Sequence, residues 1–199
     1  MPWSDPALLV AIAVGMALLS AAGTYLALLY SRSRGLVDAP GERRSHARPT
    51  PRGGGIGIVV ACFVMLLAIG ANDARPLPWA LIATGLLLVA GIGWWDDHRP
   101  LHAWPRLLVH AIAAALLGWA CWLQGASPLA AIAGSLLALG LINAWNFMDG
   151  IDGLAASQAM LCGLGLAWVL SGPWAALGVA IAVAIVPEVR GFRFAIERG

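Results

Sequence analysis

Asn143, Asn146, Asp149 and Asp152 follow one another at three-residue intervals in NAWNFMDGIDGLA, residues 143–155, between two strongly apolar stretches. Asn143 and Asn146, at i and i+3, share a face in the last turn of the apolar run that precedes them. Gly150 and Gly153 then break the helix and flank Asp152. A helix-capping Asx turn accounts for one aspartate, but not for four polar groups at this spacing. Holding such groups at a bilayer edge is costly, so their presence points to function. Amide and carboxylate oxygens suit a hard cation, Mg2+ above all and Mn2+ as a substitute.

Two more segments carry chemistry-bearing residues. WWDDHRPLHAWPR, residues 94–106, sets Asp96 and Asp97 side by side where an apolar run ends. Adjacent carboxylates repel unless a cation or proton lies between them, and two acids at a helix C-terminus also oppose its dipole. Such a pair suits Mg2+-assisted phosphate chemistry or general-base work. The plainer reading is a solvated helix end with one aspartate paired to Arg99 or Arg106. His98 and His102 read as solvated loop histidines rather than ligands. VDAPGERRSHARPTPRGGGIGI, residues 37–58, holds Arg43, Arg44, His46, Arg48 and Arg52, followed by Gly53, Gly54 and Gly55. Arginines grip phosphate oxygens through charge-assisted bonds, and a glycine-rich helix start offers backbone N–H groups to an anion. A positive cytoplasmic loop touching lipid headgroups would look the same in composition.

The elements that must position these residues are apolar helices. Of 199 residues, 60% are hydrophobic and only 11% charged, against roughly a quarter charged in soluble domains. Seven apolar runs, 7–30, 55–71, 78–95, 106–124, 128–147, 154–171 and 173–187, are each expected to span a hydrocarbon core of about 30 Å. The expected fold is all-α: one polytopic transmembrane bundle over residues 1–199. Residues 1–6 carry no positive charge and the first run is too long for a signal-peptide core, so it reads as a retained span. Cys62, Cys121 and Cys162 fall inside apolar runs and read as small buried hydrophobes, with neither zinc spacing nor a disulfide framework.

Short connections (NDARPLP, QGASP, SGP) alternate with longer charged ones. Eleven of the twelve basic residues, all but Arg75, therefore fall on one face, with eight of the ten acids. The positive-inside rule makes that face cytoplasmic and puts the N-terminus outside. Trp3, Trp79, Trp94, Trp95, Trp104, Trp145 and Trp174 lie near span ends and read as interfacial anchors. All three polar segments then share the cytoplasmic side and are able to form one site. Charges gathered at one face suit chemistry on a membrane-surface substrate better than the midplane charges of a transporter.

Together DAPGERRSHARPTPRGGG, DDHRPL with the following arginine, and NAWNFMDGIDGLA resemble the polyprenyl-phosphate N-acetylhexosamine-1-phosphate transferases (glycosyltransferase family 4), nearest to members that start O-antigen or related surface polysaccharides. The resemblance implies transfer of a sugar-1-phosphate from a UDP-N-acetylhexosamine to polyprenyl phosphate, undecaprenyl phosphate in a bacterium, with Mg2+ and release of UMP. It places the protein in a bacterial inner membrane, with the active face cytoplasmic. Asp96 and Asp97 match the aspartate pair assigned to the lipid-phosphate nucleophile. Asn146 and Asp149 match residues associated with the metal and the diphosphate, and Asp152 matches the second aspartate of that motif. Arg43, Arg44, His46 and Arg52 match phosphate-contacting residues of the first cytoplasmic loop; Gly53, Gly54 and Asn143 are read as further substrate-binding positions. Family members are longer and carry a later metal-binding aspartate segment and a histidine motif. The chain is expected to represent the N-terminal portion of that fold. A homodimer is an expected partner arrangement, and nucleic acid is not an expected partner. The alternative is an inactive, shortened paralogue that binds polyprenyl phosphate.

The topology is testable in a variant whose three native cysteines are replaced. Ser127→Cys is expected to react with a membrane-impermeant maleimide in intact cells, and Arg99→Cys only after permeabilisation. The opposite pattern would invert the sidedness.

Overall fold

Every long apolar run becomes a helix, because an α-helix satisfies its backbone polar groups internally where no water reaches. The computed structural model describes residues 5–38, 50–51, 53–148 and 154–197, with side chains over 5–36, 53–145 and 155–186. Its elements are α1 (Pro6–Arg34), β1 (Val37–Asp38), β2 (Thr50–Pro51), α2 (Ile56–Ala71), α3 (Pro76–His98), α4 (Ala103–Leu123), α5 (Pro128–Met148), α6 (Leu154–Val169) and α7 (Pro173–Glu197). The seven helices match the seven expected runs, and α1, α3, α4 and residues 128–145 of α5 are long and apolar enough to cross a membrane. The strands are a two-residue antiparallel pairing, Val37 with Pro51 and Asp38 with Thr50.

Boundaries move for local reasons. Asp5 caps α1, its carboxylate accepting the Ala7 N–H at 2.9 Å. Gly35, at φ 65°, ends that helix in a left-handed turn that favours glycine. Prolines at 76, 78 and 105 sit inside helices rather than before them, because a first helical turn leaves its N–H groups without intrahelical partners. α7 continues to Glu197, past residue 187 where the apolar run was expected to stop. Its apolar part is Pro173–Val186. A helix need not end with its apolar stretch, and Pro187 costs one backbone bond without forcing an end.

The chain divides into two compact units, one of Met1–Met65 with Asp149–Gly199 and one of Leu66–Met148. In the first, α7 packs against both α1 and α6. Gly163 and Gly178 bring the α6 and α7 backbones together: a Cβ on Gly163 would lie 2.8 Å from the Gly178 carbonyl oxygen. The Ser20 hydroxyl donates to the Ala184 carbonyl and so ties α1 to α7. In the second unit, α4 packs against both α3 and α5. Gly85 meets Ala113, and Gly118 meets Ala131 and Ser135.

The buried core is mostly small, with Ala61, Ala113, Ala114, Ala120, Ala176, Ala180 and Ala184 all at 5% exposure or less. Large apolar side chains point outward; Trp168 is 90% exposed, Leu129 78% and Leu18 66%. This is the pattern of helices that meet through small residues and offer their bulk to lipid. Three expectations fail within it, the first being Cys121, which is only half-buried. Cys162 lies exposed rather than buried. Trp79 is 1% exposed, not an interfacial anchor. Gly70 leaves room for it, and its indole N–H donates to Asp73 at 2.8 Å, so its polar tip is satisfied inside the fold.

Asp73 organises the turn between α2 and α3. Its other oxygen accepts the Arg75 N–H at 2.9 Å, while the Arg75 guanidinium reaches the Leu123 carbonyl at the end of α4. The Arg75 N–H, then the Trp79 indole and the nearby guanidinium hold the Asp73 carboxyl below its ordinary value, against a smaller desolvation effect.

Two expectations follow. Gly118→Val forces a branched side chain against the Ala131 carbonyl and is expected to destabilise by about 1–3 kcal/mol, whereas Gly134→Ala, in open space, leaves the thermal midpoint nearly unchanged. Equal shifts would overturn the packing account. Because the folded pKa of Asp73 is depressed, its stabilisation is present above the unfolded value and is lost as pH falls through the folded one. Asp73→Asn should lower the thermal midpoint at neutral pH and flatten its fall in acid; parallel pH curves would remove Asp73 from this role.

Candidate functional site at one end of the α3–α4–α5 unit

The C-terminal end of α3, the first two turns of α4 and the C-terminal end of α5 lie at the same end of the second unit, because α4 runs antiparallel to both neighbours. Asp96 and Asp97 occupy the last turn of α3, inside the helix rather than in a loop. Asp96 is fully engaged. Its Oδ1 accepts the Leu101 N–H at 2.7 Å, which closes the turn between the helices. Its Oδ2 accepts from the Arg106 guanidinium at 2.9 Å. Both partners are half-buried, at 28% and 29% exposure, so this pair is shielded better than a surface ion pair, whose worth is about 0–1 kcal/mol. Arg106, one of the two arginines expected as partners, pairs with Asp96, which relieves the unfavourable placement of an acid at a helix C-terminus. Asp97 is half-buried beside it.

His98 belongs to the frame. Its Nδ1 bonds the Trp94 carbonyl at 2.8 Å, and its ring lies 4.5 Å from the Trp94 ring, centroid to centroid. His102 is the N-cap residue of α4 and makes no side-chain capping bond.

Asn143, near the end of α5, is half-buried. Its amide nitrogen donates to the Leu139 carbonyl at 2.8 Å. Its oxygen lies 3.4 Å from Nδ1 of His110 on α4. His110 is 6% exposed, and no sequence motif drew attention to it. The signal was available: a histidine four residues after Arg106, alone among apolar neighbours, in a span where ionisable side chains are rare.

In the first unit, Gly53 adopts φ 84°, a left-handed conformation that favours glycine, and its carbonyl accepts the Ile56 N–H as α2 begins. The Gly54 carbonyl accepts from the Thr24 hydroxyl at 3.4 Å. Asp149, Asp152, Arg43, Arg44, His46 and Arg52 lie outside the described residues, as does the side chain of Asn146. α5 is described to Met148 and α6 from Leu154; the expected break at Gly150 and Gly153 lies outside the described residues.

Among the described residues, no group of three or more His, Cys, Asp or Glu is arranged to hold a metal ion. Both oxygens of Asp96 are committed to Leu101 and Arg106. The amide and carboxylate oxygens of Asn146, Asp149 and Asp152 are donors of the type a hard cation takes, and they lie outside the described side chains.

Comparisons with known proteins place the chain in a family. The chain is 33% identical over 154 residues to decaprenyl-phosphate N-acetylglucosaminephosphotransferase of Mycolicibacterium smegmatis, covering 66% of this chain and 37% of that protein. It is 29% identical over 138 residues to phospho-N-acetylmuramoyl-pentapeptide-transferase of Lactiplantibacillus plantarum, covering 56% of this chain and 42% of that one. A probable undecaprenyl-phosphate N-acetylglucosaminyl 1-phosphate transferase of Bacillus subtilis is 25% identical over 181 residues, which is 80% of this chain and 48% of that protein. The chain thus spans less than half the length of each of these relatives. No solved structure matches it. The profile of glycosyl transferase family 4 matches residues 79–194, a stretch that holds both the aspartate pair of α3 and the asparagine–aspartate segment after α5, and the chain belongs to that family.

Proposed function

We propose that the protein moves an N-acetylhexosamine-1-phosphate from a UDP-sugar onto polyprenyl phosphate in the cytoplasmic leaflet and releases UMP. In this reaction an oxygen of the lipid phosphate bonds to the sugar-linked phosphorus, and UMP departs with the bridging oxygen. The product would begin a lipid-linked surface polysaccharide, of the O-antigen or cell-wall kind. The observation that carries the reading is the placing of Asp96, Asp97 and Asn143 at one end of a three-helix unit in a chain of this family. Relatives named for decaprenyl- and undecaprenyl-phosphate substrates support a polyprenyl phosphate acceptor.

Phosphoryl transfer asks a protein for positioning and charge neutralisation more than for covalent chemistry. Asp97 is assigned to the lipid phosphate, where a carboxylate is able to take or orient its proton. Asn143 and Asp152 are assigned to binding and orienting the diphosphate. Arg43, Arg44, His46 and Arg52, with the N–H groups of Gly53 and Gly54, are assigned to phosphate oxygens. Asn146 and Asp149 would hold Mg2+, which when bound supplies positive charge against the diphosphate. A homodimer in a bacterial inner membrane is the proposed setting.

Membranes carrying the chain, given undecaprenyl phosphate, Mg2+ and a panel of UDP-N-acetylhexosamines, are expected to release UMP. Asp97→Asn and Asp149→Asn should each reduce release by at least about a hundredfold, and a chelator should stop it. Near-full activity in either variant would overturn the site assignment, and turnover without a divalent cation would remove the metal. No release, with polyprenyl-phosphate binding that survives Asp149→Asn, would favour a binding protein over an enzyme.

A further inference from the structure

Arg106 and His110 stand at i and i+4 on α4, so their side chains emerge one above the other on a single face. Each reaches a different neighbour. Arg106 bonds Asp96 of α3 at 2.9 Å, and His110 meets Asn143 of α5 at 3.4 Å. The amide of Asn143 spends its nitrogen on the Leu139 carbonyl, which leaves its oxygen turned to His110. An oxygen there accepts only, so Nδ1 of His110 carries the proton. His110 is 6% exposed within a span, a costly place for an ionisable side chain with no further task.

We infer that Arg106 and His110 form a positioning clamp: α4 fixes the spacing between the aspartate pair on α3 and the asparagine face on α5 through one polar contact to each. Neither clamp residue needs to touch substrate. Asp96, held by Arg106 and by the Leu101 N–H, belongs to this frame, and Asp97 follows it in the same helical turn. Only the activity readout below rests on the proposed transfer reaction. The spacing readout does not.

The test places spin labels at 95 and 144, two exposed positions on α3 and α5, in the full chain with its native cysteines replaced. The parent is expected to give one narrow distance distribution. His110→Leu and Arg106→Gln should each broaden or shift it, while His110→Gln and Arg106→Lys, which keep a donor, should restore it. Asn143→Ala should act like His110→Leu, and the double variant should add nothing further. With UDP-N-acetylglucosamine and undecaprenyl phosphate, His110→Leu should lower kcat about tenfold while KM changes by less than about twofold. His110→Gln should recover most of that loss. An unchanged distribution in both His110→Leu and Asn143→Ala would overturn the clamp. A parent chain that releases no UMP would count against the transfer reaction and leave the distance result to decide the clamp.

Discussion

Backbone meeting backbone at glycine and alanine holds each unit together. In lipid the hydrophobic effect gives helices no reason to associate, since tails are as apolar as leucine. What remains is close contact, and side chains bulkier than a methyl group prevent it. Gly163 and Gly178 allow α6 and α7 to touch, and Gly118 allows α5 onto α4. The polar contacts at the end of the second unit depend on that closeness. Were α5 held further from α4, His110 and Asn143, already 3.4 Å apart, would no longer meet.

Among the described residues, several buried or half-buried polar groups find partners within the protein. Ser20 bonds a backbone carbonyl, Asp73 accepts from Arg75 and Trp79, and Asp96 accepts from Leu101 and Arg106. Asp73 and Asp96 sit at opposite ends of α3, one in the turn before it and one in its last turn. Each uses both oxygens to accept from residues that follow it in the chain. The same chemistry therefore stabilises a connection at one end of α3 and frames the candidate site at the other.

Much of the fold was legible because lipid imposes a single rule, and runs of apolar residues obey it. All seven helices stand where the runs predicted. What escaped was decided by particular contacts. Trp79 resembled an anchor by position, but Gly70 and Asp73 make a place for it inside. α7 outran its apolar stretch because helical bonding does not require apolar side chains. Residue type and spacing singled out Asp96, Asp97 and Asn143, which the fold sets at one end of the second unit, and Arg106 was named as one possible partner of the aspartates. His110 stood out only as a lone ionisable residue in a span; its contact depends on which helix faces α4, and spacing along one chain does not contain that information.

The burial of Trp79 gives the molecule an internal optical contrast. The chain has ten tryptophans. Trp168 at 90% exposure and Trp104 at 78% lie where bilayer or interface would surround them, whereas Trp79 at 1% is walled in by protein and hydrogen-bonded to a carboxylate. Quenchers dissolved in lipid would reach the first kind and not the second. Trp79 is the one fully buried tryptophan among the described residues, so the fluorescence that survives such quenching would draw on the turn that joins α2 to α3.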